Sequence, residues 1–263
     1  MRHIPDASGS NLLPFVCDVA VLGSAMAMDA WQLAQKVAKV LNDDDNIRCT
    51  VAELAMWFNS AQREIVSLKP DSLTANGSIA LVAGTKQSAA SVTIGGVTKT
   101  GLRLLDIIRN TGTYQRAVTS RDRKVLDTTM PNWHSSTANA EMKFFMFDER
   151  DPLTFYNYPP QPATGMGTVE ALVSIAPTEV TVAANGLAFT TGQNLSISEL
   201  HESNMIDLML ARALSKDSKI IGNMQRAQAH YAAAATSLGQ KVQSDRYFAP
   251  TDGFSTSVSA GQQ

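Results

Sequence analysis

Between Thr50 and Pro70 the chain carries a helix that cannot exist alone. Thr50 and Glu53 have the spacing of a capping box. Val51, Leu54, Ala55, Phe58, Ala61, Ile65 and Leu68 then recur at steps of three and four, which gathers them on one apolar stripe. Lys69 stands in the last turn, and Pro70 stops the helix. A stripe of that length must be covered by other helices, so the fold has to supply a bundle. Trp57, Phe58 and Ile65 are its expected core residues.

The partners lie at both ends of the chain. Asp29 can cap a helix over residues 28–41, with Ala30, Ala34, Val37, Ala38 and Leu41 on one face. After Ser198 the helical spacing returns. Ile206, Met209, Leu210, Ala213 and Leu214 mark a helix over residues 200–215, with Leu210 in the core. Ile220, Ile221, Met224, Ala227, Tyr231, Ala235 and Leu238 mark another over residues 218–238, with Tyr231 as a core residue and Gly239 as its C-cap.

The middle of the chain has a different period. Val92-Thr93-Ile94 and Val97-Thr98-Lys99 flank Gly95-Gly96, the signal of a two-residue hairpin. Leu102–Ile108 reads as a strand, with a helix as the alternative. Phe144–Phe147 and Leu153–Tyr158 form a second hairpin around Asp148–Pro152, which Pro159-Pro160 should end. Val169–Ile175 is a further strand. Val180–Thr191 is a long loop or an edge hairpin, with Asn185-Gly186 as the turn in the second case. The expected fold is α+β: a bundle built from N- and C-terminal helices, a central hairpin-rich insertion over residues 80–192, and an extended C-terminal tail. Residues 1–27 form an arm, 28–239 the core, and 240–263 the tail.

Composition narrows the function. Of the 263 residues, 44% are hydrophobic and 17% charged, against about 25% charged in an ordinary soluble domain. A surface covered in part by other subunits is consistent with so few charges. Basic and acidic residues number 22 and 24, so the chain lacks the basic excess of an electrostatic nucleic-acid binder. Cys17 and Cys49 cannot make a disulfide framework. No apolar run is long enough for a membrane span, and no membrane partner is expected. Leu12–Met28 mimics a signal peptide up to Ala25-Met26-Ala27, but Asp18 breaks the run and Asp6 offsets Arg2; a mobile or partner-docked arm is the better reading.

Motifs for chemistry fail individually. His3, His134, His201 and His230 have no metal-ligand spacing. Asn42, Asp44, Asn46 and Glu53 fall near calcium-loop positions, but Ile47 occupies the place of the sharp-turn glycine. Gly84-Thr85-Lys86 is not a phosphate loop, and Gly165-Met166-Gly167 has no helix after it. There is no GxSxG. Asp148, Glu149 and Asp151 sit in a turn, where charge usually means solvent. Trp133, Phe144, Phe145, Phe147, Phe155, Tyr156 and Tyr158 could stack bases, but with few interleaved cations they read as a sheet core. Neither catalytic residues, cofactor nor metal is expected, and the chain does not read as an enzyme. A small hydrolase or binding enzyme with an undetected site remains the alternative of another class.

Several segments together resemble the head-tail adaptor (connector) proteins of tailed bacteriophages. Trp57-Phe58-Asn59, Ala61-Gln62-Arg63-Glu64-Ile65 and Lys69-Pro70 are similar to that family's first core helix. Gly84-Thr85-Lys86-Gln87, Leu104-Leu105-Asp106, Arg109-Asn110 and Pro131-Asn132-Trp133-His134 follow in the family's order. So do Phe147–Pro152, Phe155-Tyr156, Tyr158-Pro159-Pro160 and Ser215-Lys216-Asp217. The Ser91–Thr100 hairpin and the first 27 residues depart from it. The resemblance implies a homo-oligomeric ring, twelvefold to match the portal, that sits beneath the portal in the virion neck. It would extend the double-stranded DNA channel and receive a tail tube, nozzle or stopper protein, after assembly in the host cytoplasm. A tail-tube or tail-completion protein is the nearest alternative. Tyr247, Phe248, Pro250 and Phe254, aromatics and a proline in a polar string, would dock the tail on the portal or a neighbour.

Overall fold

The structure, a computed structural model, describes residues 28–248 except 113, 218 and 219, and the side chains only as far as residue 239. Helix α1 spans Ala30–Val40, and the Asp29 side chain accepts from the Trp31 and Gln32 amides at 2.7 and 3.2 Å. Its expected face is buried together with Leu33. Helix α2 spans Val51–Leu68, with both halves of the Thr50–Glu53 capping box formed. Phe58, Ala61 and Ile65 are buried as the stripe requires, and Trp57, expected in the core, is buried beside it. Leu68 is not. The backbone leaves the helix at Lys69, and the last residue of the stripe points outward while Val66 packs inward.

The strands begin earlier than residue 80. They are β1 (Thr74–Ala80), β2 (Gly84–Ser88), β3 (Ser91–Ile94), β4 (Val97–Asn110), β5 (Thr119–Ser120), β6 (Phe144–Phe147), β7 (Thr154–Gln161) and β8 (Thr168–Ile175). Strands β1, β3, β4 and β8 close into a small barrel. The Gly95-Gly96 turn, with φ of 53° and 84°, joins β3 to β4, as the hairpin signal predicts. That hairpin is integral to the barrel, because β3 also pairs with β1. Leu102–Ile108 lies within β4, which settles strand over helix. The second sheet runs β2-β7-β6-β5, all antiparallel except the β5–β6 pair.

One expectation fails in this region, and one element was not foreseen. Strand β7 runs through Pro159-Pro160 to Gln161. The prolines act there as acceptors: Asn139 N donates to Pro160 O at 2.9 Å, and Asn157 Nδ2 donates to Pro159 O at 2.7 Å. A proline is tolerated in a ladder where no donor is required of it. A further helix, α3 (Arg123–Thr129), has no counterpart in the sequence reading. It has one buried residue, Leu126, and so no period to detect, although Asp122 caps it.

A core lies among the strands. Ile79, Leu104, Ile107, Val169, Ala171 and Val173 of the barrel meet Phe145 and Phe155 of the other sheet and Met142 just before β6. Trp133 and Met146 pack with Leu126 of α3. Of the seven clustered aromatics, Trp133, Phe145 and Phe155 are buried, while Phe147, Tyr156 and Tyr158 pack part-buried against these cores. Past β8, residues 180–191 take the hairpin form, with a Val182–Phe189 bridge and Gly186 at φ 72°.

Helices α4 (Glu202–Lys216) and α5 (Asn223–Phe248) complete the bundle. Leu210 is buried as expected. The face assigned to α5 needs correction. Ile220, Ile221 and Met224 are exposed, and α5 starts only at Asn223, after Gly222. The buried residues are Ala227, Ala234 and Leu238, not Ala235. Tyr231, expected in the core, is 50% exposed. It stands at the right helical step, but its ring is too long to fit against α4, where alanines pack. The helix also runs past Gly239 to Phe248, so Gly239 is not a C-cap. Tyr247 and Phe248 therefore belong to the last turn of α5 rather than to an extended tail. Pro250, Phe254 and the arm 1–27 lie outside the described residues.

Candidate functional site

The described histidines stay apart. His134 stacks on Trp133 with ring centroids 3.7 Å apart, and its Nδ1 lies 2.8 Å from Thr85 Oγ1. His201 is buried. His230 Nδ1 lies 2.9 Å from Asp207 Oδ1, which ties α5 to α4. Among the described residues no three His, Cys, Asp or Glu side chains come together as metal ligands do. No described helix is long and apolar enough to cross a membrane.

The acidic loop before α2 has a structural task. The Asp43 carboxylate accepts from the amides of Ile47, Arg48 and Cys49 at 3.0, 3.1 and 2.7 Å. Burial pushes the Asp43 pKa up, but these three amides and the Arg48 charge outweigh it and hold it below 3.8. Asn42 and Asn46 make the turn with φ near +50°, at 52° and 53°. Glu53 is engaged by the capping box and by Lys216 Nζ at 2.7 Å.

Two concave surfaces stand out. One is an open cleft of about 990 Å³ between α3 and the β6–β7 turn. It brings together Asp148, Glu149 and Asp151 with Arg121, Arg123, Lys124 and Arg150. Both signs interleave there, and the Asp148 pKa is lowered by the amide and guanidinium of Arg150. A general acid would need the opposite shift. Arg123 lies over the Tyr156 ring at 5.4 Å and Arg121 over Phe144 at 5.3 Å, which orients the cationic wall.

The other is a groove of about 760 Å³ among α2, α4 and α5, with Met56, Trp57, Leu208, Met224, Ala227 and Tyr231 in its lining. The Glu53–Lys216 ion pair and Arg212, which is paired with Glu64, line it as well. The Tyr231 hydroxyl donates to the Glu64 carboxylate, whose hydrogen bond and charge raise the phenol pKa above 10.0. The sequence reading missed this groove. Met56 was the available signal, an apolar residue off the stripe of α2.

Both surfaces suit a protein that works by contact: paired charges on one, an apolar channel with paired charges on the other. A helical bundle that carries a β module offers such faces for contact. The family comparison agrees. Residues 28–253 match the SU10 adaptor protein family, so the chain belongs to that family of bacteriophage head-tail adaptors. The matched span takes in the bundle, the barrel and the second sheet. No curated protein matches the chain at a significant level.

Proposed function

We propose that the protein forms a closed cyclic ring, twelvefold, beneath the portal in the virion neck. The ring extends the DNA channel and presents its far face to a tail tube, nozzle or stopper protein. The observation that carries this reading is the family match over residues 28–253, which spans both modules of an adaptor. A ring needs two different faces on each subunit that close on each other. The mixed-charge α3 cleft is suited to one of them, because interleaved charges fix register and reject wrong partners. The near balance of 22 basic and 24 acidic residues suits a channel that passes double-stranded DNA without gripping it, since phosphate affinity grows with each cation aimed at the backbone.

The C-terminal segment anchors the ring in this reading. The family match continues through Tyr247, Phe248 and Pro250, which supports a shared role for that segment, although it ends before Phe254. A chain ending after Gly239 keeps the buried residues described in α5: Ala227, Ala234 and Leu238. That truncated chain should melt like the full one yet fail to co-sediment with portal-containing heads. Equal co-sedimentation refutes the anchoring role. A density map of the virion neck tests the ring directly: twelve copies around the axis, roughly 340 kDa from a 28.3 kDa chain, support it, and a site without cyclic symmetry refutes it.

A further inference from the structure

The groove among α2, α4 and α5 leaves Met56, Met224 and Tyr231 about half exposed, beside one another and over a floor of Trp57, Leu208 and Ala227. An apolar channel of this kind is usually covered. The same chain contains a segment with the matching need. Residues 12–22 read Leu-Leu-Pro-Phe-Val-Cys-Asp-Val-Ala-Val-Leu, with Asp18 as the single charge. Left in water, such a segment keeps a large apolar surface hydrated.

The attachment point sets its reach. Met28 N donates to Glu199 Oε1 at 2.9 Å, and Leu195 N donates to Met28 O at 2.9 Å. Residue 28 is thus pinned just before α4. From Glu199 the chain makes one 3₁₀ turn and then α4, whose residues Leu208 and Ala211 line the groove. At ~2.0 Å per residue in the turn and ~1.5 Å in the helix, they lie about 15–20 Å along. The six steps from Met28 back to Leu22, across Gly23-Ser24-Ala25-Met26-Ala27, span about 20 Å when extended. The segment therefore begins where the groove begins. A tether this short holds it at an effective concentration in the millimolar range, ahead of any second copy at micromolar concentration.

We infer that residues 12–22 of the protein's own arm seat in the α2–α4–α5 groove. The arm then acts as an intramolecular strap across three helices.

Cys17 provides the test. A disulfide needs Cα atoms within about 7 Å, so it reports proximity closely. In the full chain, Met56→Cys and Met224→Cys place a thiol on either wall of the groove, and Val97→Cys places one at the far β3–β4 hairpin. All three positions are exposed, and circular dichroism melts confirm that each variant folds. Mild oxidation at micromolar protein should join Cys17 to position 56 or 224 within one chain, as read by peptide mass. Val97→Cys should not react with Cys17, and adding Phe15→Asp should abolish the groove crosslink. The inference is overturned by no crosslink at either wall, by equal crosslinking at position 97, or by indifference to Phe15→Asp. Crosslinks that join two copies also overturn it and make the groove an interface between subunits.

Discussion

Phe58 is the residue on which the bundle most visibly depends. It has 0% exposure, sits in the middle of α2, and meets Phe189 edge-on with ring centroids 5.9 Å apart. Phe189 in turn tilts against Trp31 at 5.3 Å, so one ring links α1, α2 and the 180–191 hairpin. Phe58→Ala removes the ring and leaves a cavity that helices cannot readily collapse, at a cost of about 3–5 kcal/mol. Loss of the edge-on pair accounts for about 0.5–1.5 kcal/mol beyond area. In a domain of this size about 4 kcal/mol lowers the thermal midpoint by roughly 8–16 °C. The assay is a far-ultraviolet circular dichroism melt, with Leu68→Ala as the control on the same helix. Leu68 is 56% exposed and lies outside the groove, so its truncation should cost less than about 0.5 kcal/mol. Equal midpoints for the two variants would refute the assignment of the helix face.

The remaining predictions concern other parts of the molecule. Asp43→Asn should destabilise the loop before α2 by about 1.5–3 kcal/mol near neutral pH, because charge-assisted bonds to three amides are weakened. The folded Asp43 pKa lies below its unfolded value, so the contribution is fully present above pH 3.8 and fades as pH falls through the folded value; chemical denaturation of both forms from pH 7 to 3 should show the gap closing. Gly101→Ala should destabilise the barrel by about 1–3 kcal/mol or more, since a Cβ would lie 2.1 Å from the Ala89 carbonyl oxygen; urea titration measures it. Arg212→Ala should cost more than Arg63→Ala in the same titration, because Arg212 ties Glu64 of α2 to α4 at a part-buried site while the Arg63–Glu179 pair is exposed.

Local signals were legible in the sequence, and signals that depend on distant neighbours were not. The caps of α1 and α2 and the stripe through Leu54, Phe58, Ala61 and Ile65 depend on residues within one or two turns. The Gly95-Gly96 turn is equally local. In α5 the run Ala232–Ala235 carries no preference for either face, so Ala235 was read as buried where Ala234 is. The end of β7 depended on whether a partner needed a proline donor, which only the sheet decides. The groove was invisible for a similar reason: its walls come from helices about 150 residues apart in sequence, and Tyr231 becomes half-exposed only through the way α5 lies on α4. The start of the tail was misread as extended, since Tyr247 and Phe248 lie in α5.

The chain leaves the bundle into β1 and returns from β8, and these two strands are paired side by side, with Thr74 opposite Ser174. Ile175 N donates to Leu73 O at 3.2 Å, so the exit and the re-entry touch. The β module is therefore a cassette with adjacent ends. Recombination with endpoints near residues 73 and 176 would exchange the whole module in one event, because strand spacing of about 4.8 Å can be bridged by a two-residue turn. The helices would not have to repack, and the two halves of the gene can change at different rates.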